Sequence, residues 1–145
     1  MKKLPDILKK EGYKKIKFKV TKTQHLLLKA SVNGIKGNFI LDTGASSSCV
    51  GFECIELFLL EAKTSETQAS SAGASGMPTQ VAVVNQFQLG IWKHSGLEIV
   101  IFDLFHVNEA LLQHNSKPVH GIIGADILMR GRGIIDYYDH FLYLQ

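Results

Sequence analysis

Cysteine is scarce in this chain of 145 residues, which contains only Cys49 and Cys54. The two thiols form neither a CxxC pair nor a metal-ligand pattern, so we expect both to be buried and free. Six histidines are present, but none are arranged as HxxxH or HExxH. We therefore predict that the protein holds no metal and needs no cofactor.

Long apolar runs are also lacking. No stretch of the sequence approaches the roughly eighteen apolar residues that a membrane-spanning helix requires. Residues 1–11 contain lysines but not the apolar segment of a signal peptide. From these two absences we predict no membrane association and a cytoplasmic location.

An internal repeat is missing as well. The sequence contains a single Asp-Thr-Gly tripeptide, at residues 42–44. A chain of 145 residues with 46% hydrophobic composition is long enough for one domain with a substantial core. It is too short for two domains that each have a core of their own. Any chemistry that requires two such tripeptides would therefore need a second chain.

Positive charge is concentrated near the amino terminus. Residues 1–36 contain eleven lysines against Asp6 and Glu11, a net charge of +9, whereas the remainder has five basic and eleven acidic residues, a net charge of −6. Ile16 and Phe18 alternate with lysines, which predicts a strand with a lysine-rich outer face after a solvated tail. The alternative is a surface for nucleic acid or anionic membrane. It has less support because aromatic residues and lysines are not interleaved as a stacking platform, so we predict no nucleic-acid partner.

One acidic residue follows a run of large apolar residues in the stretch Phe39-Ile40-Leu41-Asp42-Thr43-Gly44-Ala45-Ser46. This pattern predicts a buried strand that delivers a carboxylate to a tight turn. Burying an ionised carboxylate costs several kcal/mol unless the group is paired or hydrogen-bonded. We therefore expect the Asp42 carboxylate to have hydrogen-bond partners. We predict that these are the Thr43 hydroxyl and the backbone N–H groups at Gly44.

The same stretch resembles the active-site motif of aspartic proteases, and Ala45 resembles the retroviral-type branch, the retropepsins. A second segment, Gly121-Ile122-Ile123-Gly124-Ala125-Asp126-Ile127-Leu128, resembles the family's apolar-apolar-Gly segment, which packs under the catalytic loop. The two motifs occur in the family's order. The chain thus resembles the retropepsin-like aspartic proteases over roughly residues 24–145.

The resemblance implies a mainly β fold. We expect a closed, barrel-like acid protease fold with one or two short helices, active as a symmetric homodimer. We divide the chain into a basic amino-terminal extension, residues 1–20, and a protease domain, residues 21–145. In the family's dimer the chain termini interleave in a shared sheet, and we expect the carboxyl-terminal strand to serve assembly.

The resemblance also implies an aspartic endopeptidase. A dyad of two Asp42 carboxylates, one from each protomer, would activate water for hydrolysis of an extended peptide or an unfolded protein. The implied catalytic residues are Asp42, Thr43 and Gly44. The alternative is a catalytically silent peptide-binding or dimerisation module with the same fold, although such a module has no evident need for a buried acid.

Residues 64–79 are dominated by Ser, Thr, Ala and Gly. Composition alone is typical of a flexible linker. The position of the segment, after the active-site loop, resembles that of the retropepsin flap, a hairpin that closes over substrate. The implied substrate contacts of the active loop and flap are Ala45, Ser46, Gly73, Ala74, Ser75, Gly76 and Met77.

Local patterns predict the remaining elements. Asn33-Gly34 indicates a hairpin because both residues tolerate positive φ. We predict helices over 52–61, 108–114 and 125–130, and a last hairpin over 133–144. Retroviral members have an acid-arginine pair that this chain lacks. We interpret Asp126 instead as a cap of its own helix, with substrate binding as the alternative.

Overall fold

The computed structural model describes residues 3–64 and 78–145, in which short strands predominate. The helices are α1 (Leu4–Lys10), α2 (Cys54–Leu57), α3 (Phe105–Gln113) and α4 (Ala125–Arg130). The strands are β1 (Lys14–Lys17), β2 (Lys19–Val20), β3 (Leu26–Val32), β4 (Ile35–Leu41), β5 (Cys49–Val50), β6 (Lys63–Thr64), β7 (Gln80–Val84), β8 (Phe87–Leu89), β9 (Trp92–His94), β10 (Leu97–Ile101), β11 (Gly121–Ile123), β12 (Ile134–Asp136) and β13 (Phe141–Leu144). The mainly β class is confirmed.

Ten of these strands form one curled sheet. Its neighbours run β6-β7-β10-β5-β11-β4-β3-β8-β9, and β2 pairs with β3 outside this path. Because β6 and β9 end the path, the described sheet is a half-barrel and not the closed barrel that we predicted. The described residues also form four helices, more than the one or two expected.

The β3–β4 hairpin is confirmed at Asn33-Gly34. The two turn residues have φ angles of 51° and 83°, and the strands pair antiparallel from the turn up to Leu26 and Leu41. Alternate residues of β3 are buried, as its apolar pattern requires. The hairpin brings the end of β4 to the edge of the core.

Strand β11 lies between β4 and β5, parallel to β4 and antiparallel to β5. The strands approach closely because Gly121 has no side chain. A Cβ at this position would collide with the Cys49 carbonyl oxygen and lie 2.6 Å from the Phe39 ring. The last residue of β11, Ile123, pairs with Leu41, so both strands end beneath the loop that starts at Asp42.

The two ends of the chain meet in a second sheet, in the order β1-β13-β12. The carboxyl-terminal strand β13 is therefore flanked on both sides by its own chain. Ile16 and Phe18 are 5% and 1% exposed and belong to the main core, and α1 buries Leu8. Residues 14–20 are thus packed against the rest of the molecule, while the domain division at residue 20 stays a prediction.

Two apolar clusters fill the interior. The larger contains Phe39, whose ring lies 6.2 Å from the rings of both Phe58 and Phe87. The smaller lies under α3 and consists of Ile40, Cys49, Phe102, Leu104, Leu111, Val119 and Ile122. Both cysteines are buried and free, which confirms the expectation from their spacing.

The predicted helices differ in accuracy. α4 matches the expected 125–130, and α3 begins three residues before the expected start at residue 108. The helix expected over 52–61 is reduced to the four residues of α2, because Leu59 adopts a φ of 57° and is 70% exposed. Among the described residues, no helix combines the length and apolarity that crossing a membrane requires.

Candidate active site

Asp42 is the first residue after β4, in a loop that backbone hydrogen bonds define. Its N–H donates to the Ile123 carbonyl at 2.9 Å, which ties the loop to β11. Its carbonyl accepts the N–H of Ala45 at 3.2 Å, which closes the turn. The Gly44 N–H donates to Asp42 Oδ1 at 2.8 Å. The main chain of the loop therefore orients the carboxylate, as the sequence predicts for Gly44.

The Asp42 side chain is exposed in the single chain, and our expectation of a buried carboxylate was wrong here. Thr43 is also exposed, and its hydroxyl has no hydrogen-bond partner among the described residues, so it does not support the carboxylate as we expected. The reason is that the core ends at Leu41, which is 4% exposed, and the chain then turns outward. The carboxylate lies at an open surface of the chain.

The loop rests directly on the start of α4. The Ala125 N–H donates to the Ala45 carbonyl at 2.7 Å. A Cβ on Gly124 would lie 2.5 Å from that carbonyl oxygen and 3.1 Å from the main chain of Ser47. Only glycine permits this approach, which explains the Gly in the second motif.

A buried serine joins the loop to α4 more firmly. Ser48 is completely buried, and its hydroxyl donates to Asp126 Oδ1 at 2.7 Å and accepts the Gly124 N–H at 2.9 Å. The Ser48 N–H donates to Asp126 Oδ2 at 3.0 Å. Asp126 also accepts the N–H of Ile127 at 2.8 Å, but it lies inside the first turn of α4, whose N-cap is Gly124, so it is not the cap that we predicted. Its main partner is Ser48.

The surroundings of the loop are apolar on the inner side. Burial raises the pKa of the Cys49 thiol to about 12, and the negative charges of Asp126 and Asp42 act in the same direction. The thiol therefore stays protonated and serves as a small apolar side chain of the core. It offers no nucleophile to the site.

The predicted substrate contacts are only partly within the described structure. Ala45 is half-buried and packs against the smaller cluster, and Ser46 is exposed at the end of the loop. The flap residues Gly73, Ala74, Ser75, Gly76 and Met77 lie outside the described residues, so their role stays a prediction.

Sequence reasoning missed Ser48. A signal was present, because Ser48 directly precedes the apolar Cys49-Val50, and a hydroxyl in a buried strand needs a partner. The partner could not be identified from the sequence, since Asp126 lies 78 positions away.

A family model described as aspartyl protease matches residues 28–127, which is more than half of the chain and includes the first motif and all but the last residue of the second. No curated protein matches the chain at a significant level.

Solved structures resemble the fold. A retropepsin-like aspartic protease from Rickettsia conorii has a TM-score of 0.62 at 19% identity, with 91% of this chain and 89% of that chain covered. The EIAV protease complexed with the inhibitor HBY-793 has a TM-score of 0.53 at 19% identity, covering 71% and 84%. The retroviral protease-like domain of Ddi1 from Leishmania major has a TM-score of 0.56 at 16% identity, covering 88% and 90%. These similarities show a retropepsin-like fold.

Proposed function

The chain belongs to the aspartyl protease family, and on that premise we propose that it is an endopeptidase that cuts peptide bonds as a homodimer. The two protomers each supply Asp42 to one shared site. The observation that supports this most directly is the position of Asp42, which the main chain fixes at the end of β4 while its side chain stays exposed.

In the proposed mechanism, one carboxylate accepts a proton from water while the other, protonated, donates to the scissile carbonyl oxygen. The water oxygen then bonds to the carbonyl carbon, and the C–N bond breaks as a proton passes to the amine. Two carboxylates at hydrogen-bond distance do not ionise together, so the pair shares one proton and titrates as a unit. This arrangement supplies an acid and a base from identical residues.

The single chain supports the need for a partner. The other carboxylate that touches the loop, Asp126, accepts three hydrogen bonds from Ser48 and Ile127 and is engaged in holding α4. Asp42 is therefore the acid with a side chain at the open surface of the loop. A symmetric contact between two copies would place two Asp42 residues together and make dimerisation a condition of activity.

The proposed substrate is an extended peptide or an unfolded segment of protein. Such a chain binds through main-chain hydrogen bonds, with alternate side chains in pockets. We assign its contacts to Ala45 and Ser46 of the loop and to the flap residues 73–77. Gly44 holds the catalytic carboxylate in place, and Thr43, next to it at the open surface, is the third residue of the catalytic motif.

The proposal is tested by cleavage of an unfolded protein between about pH 3 and 7.5, a range that spans the titration of carboxylates. Several enzyme concentrations are compared, beside Asp42→Asn and the surface control Asp103→Asn. We expect wild type and the control to cleave, with activity rising more steeply than linearly with concentration. Asp42→Asn removes the ionisable group with little change of shape, and we expect no cleavage.

The outcomes separate the candidate functions. If activity rises linearly with enzyme concentration and the active protein has the mass of a monomer, the shared site is contradicted. Absence of cleavage from protein shown to be dimeric would favour the catalytically silent peptide-binding module. Cleavage by Asp42→Asn at the wild-type rate would assign the chemistry to other residues.

A further inference from the structure

A cavity of about 340 Å³ opens between α3 and the segment that leads into β3. Three histidines line it: His25 from the β3 side, and His106 and His114 from α3 and its end. Apolar side chains of the helix, Val107 and Leu111, complete the wall. Neither the catalytic residues nor the predicted flap contacts belong to this lining.

The cavity lies at the same end of the β3–β4 hairpin as the candidate active site. In the β3–β4 pair, Leu26 is opposite Leu41, so the next residues along each strand, His25 and Asp42, stand at the same end of the hairpin. The helix wall is connected to the loop as well, because Ala45 packs against the apolar cluster that contains Leu111. The cavity wall and the Asp42 loop are thus both joined to this end of the hairpin.

Hydrogen bonds hold the His25 ring in place. Thr21 Oγ1 accepts the His25 N–H at 3.1 Å and contacts Thr23 Oγ1 at 3.0 Å, and Thr23 Oγ1 contacts His25 Nδ1 at 2.6 Å. If each hydroxyl donates to the next group, from Thr21 to Thr23 to Nδ1, every hydroxyl proton has an acceptor. In the reverse direction the Thr21 proton has none among these groups. In the first direction the N–H lies on Nε2, available to a ligand.

The chemistry of the lining favours an anionic group. His106 lies in α3 and His114 directly follows it, and every imidazole carries at least one N–H donor. No carboxylate lines the cavity within the described part of the chain, so a lysine or arginine would find no counter-charge. The described residues also contain no group of three histidine, cysteine or acidic side chains that could hold a metal ion.

We propose that this cavity is a substrate subsite that selects an acidic side chain, glutamate above all, in the peptide that Asp42 cuts. The inference rests on the proposed function and adds the class of substrate. The aliphatic part of glutamate would lie against Val107 and Leu111, and its carboxylate would accept N–H bonds from the imidazoles. Glutamine has the same shape without the charge, and is the matched comparison.

The first experiment profiles cleavage of a mixture of unfolded proteins by mass spectrometry. We expect glutamate to be favoured over glutamine by about tenfold at one fixed position relative to the cut bond, the effect of a charge-assisted hydrogen bond. The triple variant His25→Gln, His106→Gln, His114→Gln should lose this preference and still cut other sites. The control His94→Gln, whose ring stacks on Trp92 away from the cavity, should retain it.

Cleavage without a glutamate preference, or a preference that survives the triple variant, would overturn the subsite and leave the proposed function standing.

A second measurement does not depend on cleavage. The ring-proton NMR signals of the histidines in Asp42→Asn are followed during titration with acetylated pentaalanine peptides that contain one central glutamate or glutamine. We expect the signals of His25, His106 and His114 to shift at about tenfold lower concentration of the glutamate peptide. If wild type fails to cleave but these signals shift, the proposed function fails and the subsite stands. If the histidine signals shift equally with both peptides, or shift with neither, the subsite is overturned.

Discussion

At the scale of single residues, Gly44 determines where the Asp42 carboxylate points. Its N–H donates to Oδ1 at 2.8 Å, and a Cβ at Gly44 would lie 3.2 Å from the same oxygen. We expect Gly44→Ala to displace the carboxylate and lower kcat/KM by about ten- to a hundredfold, because small misplacements of a catalytic group are costly. The thermal midpoint should change little, since the residue is exposed.

Peptidase assays and thermal unfolding of Gly44→Ala and of Ser47→Ala measure the two effects. Ser47 lies in the same loop, and its substitution should leave both quantities near wild type. Wild-type kcat/KM in Gly44→Ala would show that the carboxylate does not depend on this backbone contact.

Cys49 gives a prediction about pH. Its thiol ionises near 9.0 when exposed, but burial raises the pKa of the folded thiol to about 12. Between these values the folded chain binds more protons than the unfolded chain, so stability falls as pH rises. We expect the free energy of unfolding to fall more steeply in wild type than in Cys49→Ala, by up to about 1.4 kcal/mol per pH unit.

Urea denaturation in reducing buffer at several pH values above 9 measures the difference between the two slopes. Only the difference is interpreted, because lysines and tyrosines ionise in the same range and contribute equally to both proteins. Parallel slopes would mean that the thiol becomes solvated before the fold is lost.

At the scale of elements, Ser48 joins the active loop to α4. Its buried hydroxyl accepts the Gly124 N–H and donates to Asp126. In Ser48→Ala the Gly124 N–H stays buried without that acceptor, which costs about 1–3 kcal/mol. We expect this loss in urea denaturation, together with lower activity because the loop loses a support. The exposed neighbour Ser47→Ala is the control, and equal stability of the two variants would contradict the role of the hydroxyl.

The elements that the sequence predicted well are those that short patterns define. The β3–β4 turn needs two residues that tolerate positive φ, and Asn33-Gly34 supplies them. Helix α4 is bounded by Gly124 and Gly131, and it occupies the expected residues. The last hairpin, β12 to β13, also lies where its two apolar strands and the turn between them placed it. In each case the determining residues are neighbours in the chain.

The errors concern features that depend on distant residues. The Ser48–Asp126 contact joins positions 78 apart, and no local pattern reveals it. Asp42 was expected to be buried because the apolar run before it suggested a core position, but exposure depends on where the loop turns relative to β11. The open edge of the sheet likewise follows from how all strands assemble. Sequence motifs thus pointed to the candidate site, and the tertiary structure determined its surroundings.

At the scale of the whole molecule, the sheet formed by the chain ends limits how two copies could meet in the proposed dimer. Strand β13 is already paired on both sides, so its described edges cannot interleave with another chain. The remaining edges of this sheet belong to β1 and β12. On β1, Lys15 and Lys17 are exposed and lie over the Phe141 ring, and a second β1 would bring like charges together. Strand β12 is half-buried and begins with two isoleucines.

We therefore expect the proposed dimer to use the β12 edge. Ile135 packs against the main core. Ile134 is half-buried and is not among the residues that pack there, so a second copy at this edge would cover its side chain. Ile134→Lys should weaken the dimer by about tenfold or more in sedimentation equilibrium, with circular dichroism showing a folded chain. The control Ile91→Lys changes an isoleucine that is 75% exposed and directly follows Gly90, whose position lies close to Ile16 of β1. If Ile91→Lys dissociates the dimer and Ile134→Lys does not, the contact lies on the β1 side instead, and the lysines of β1 must then be neutralised by acidic residues of the second copy.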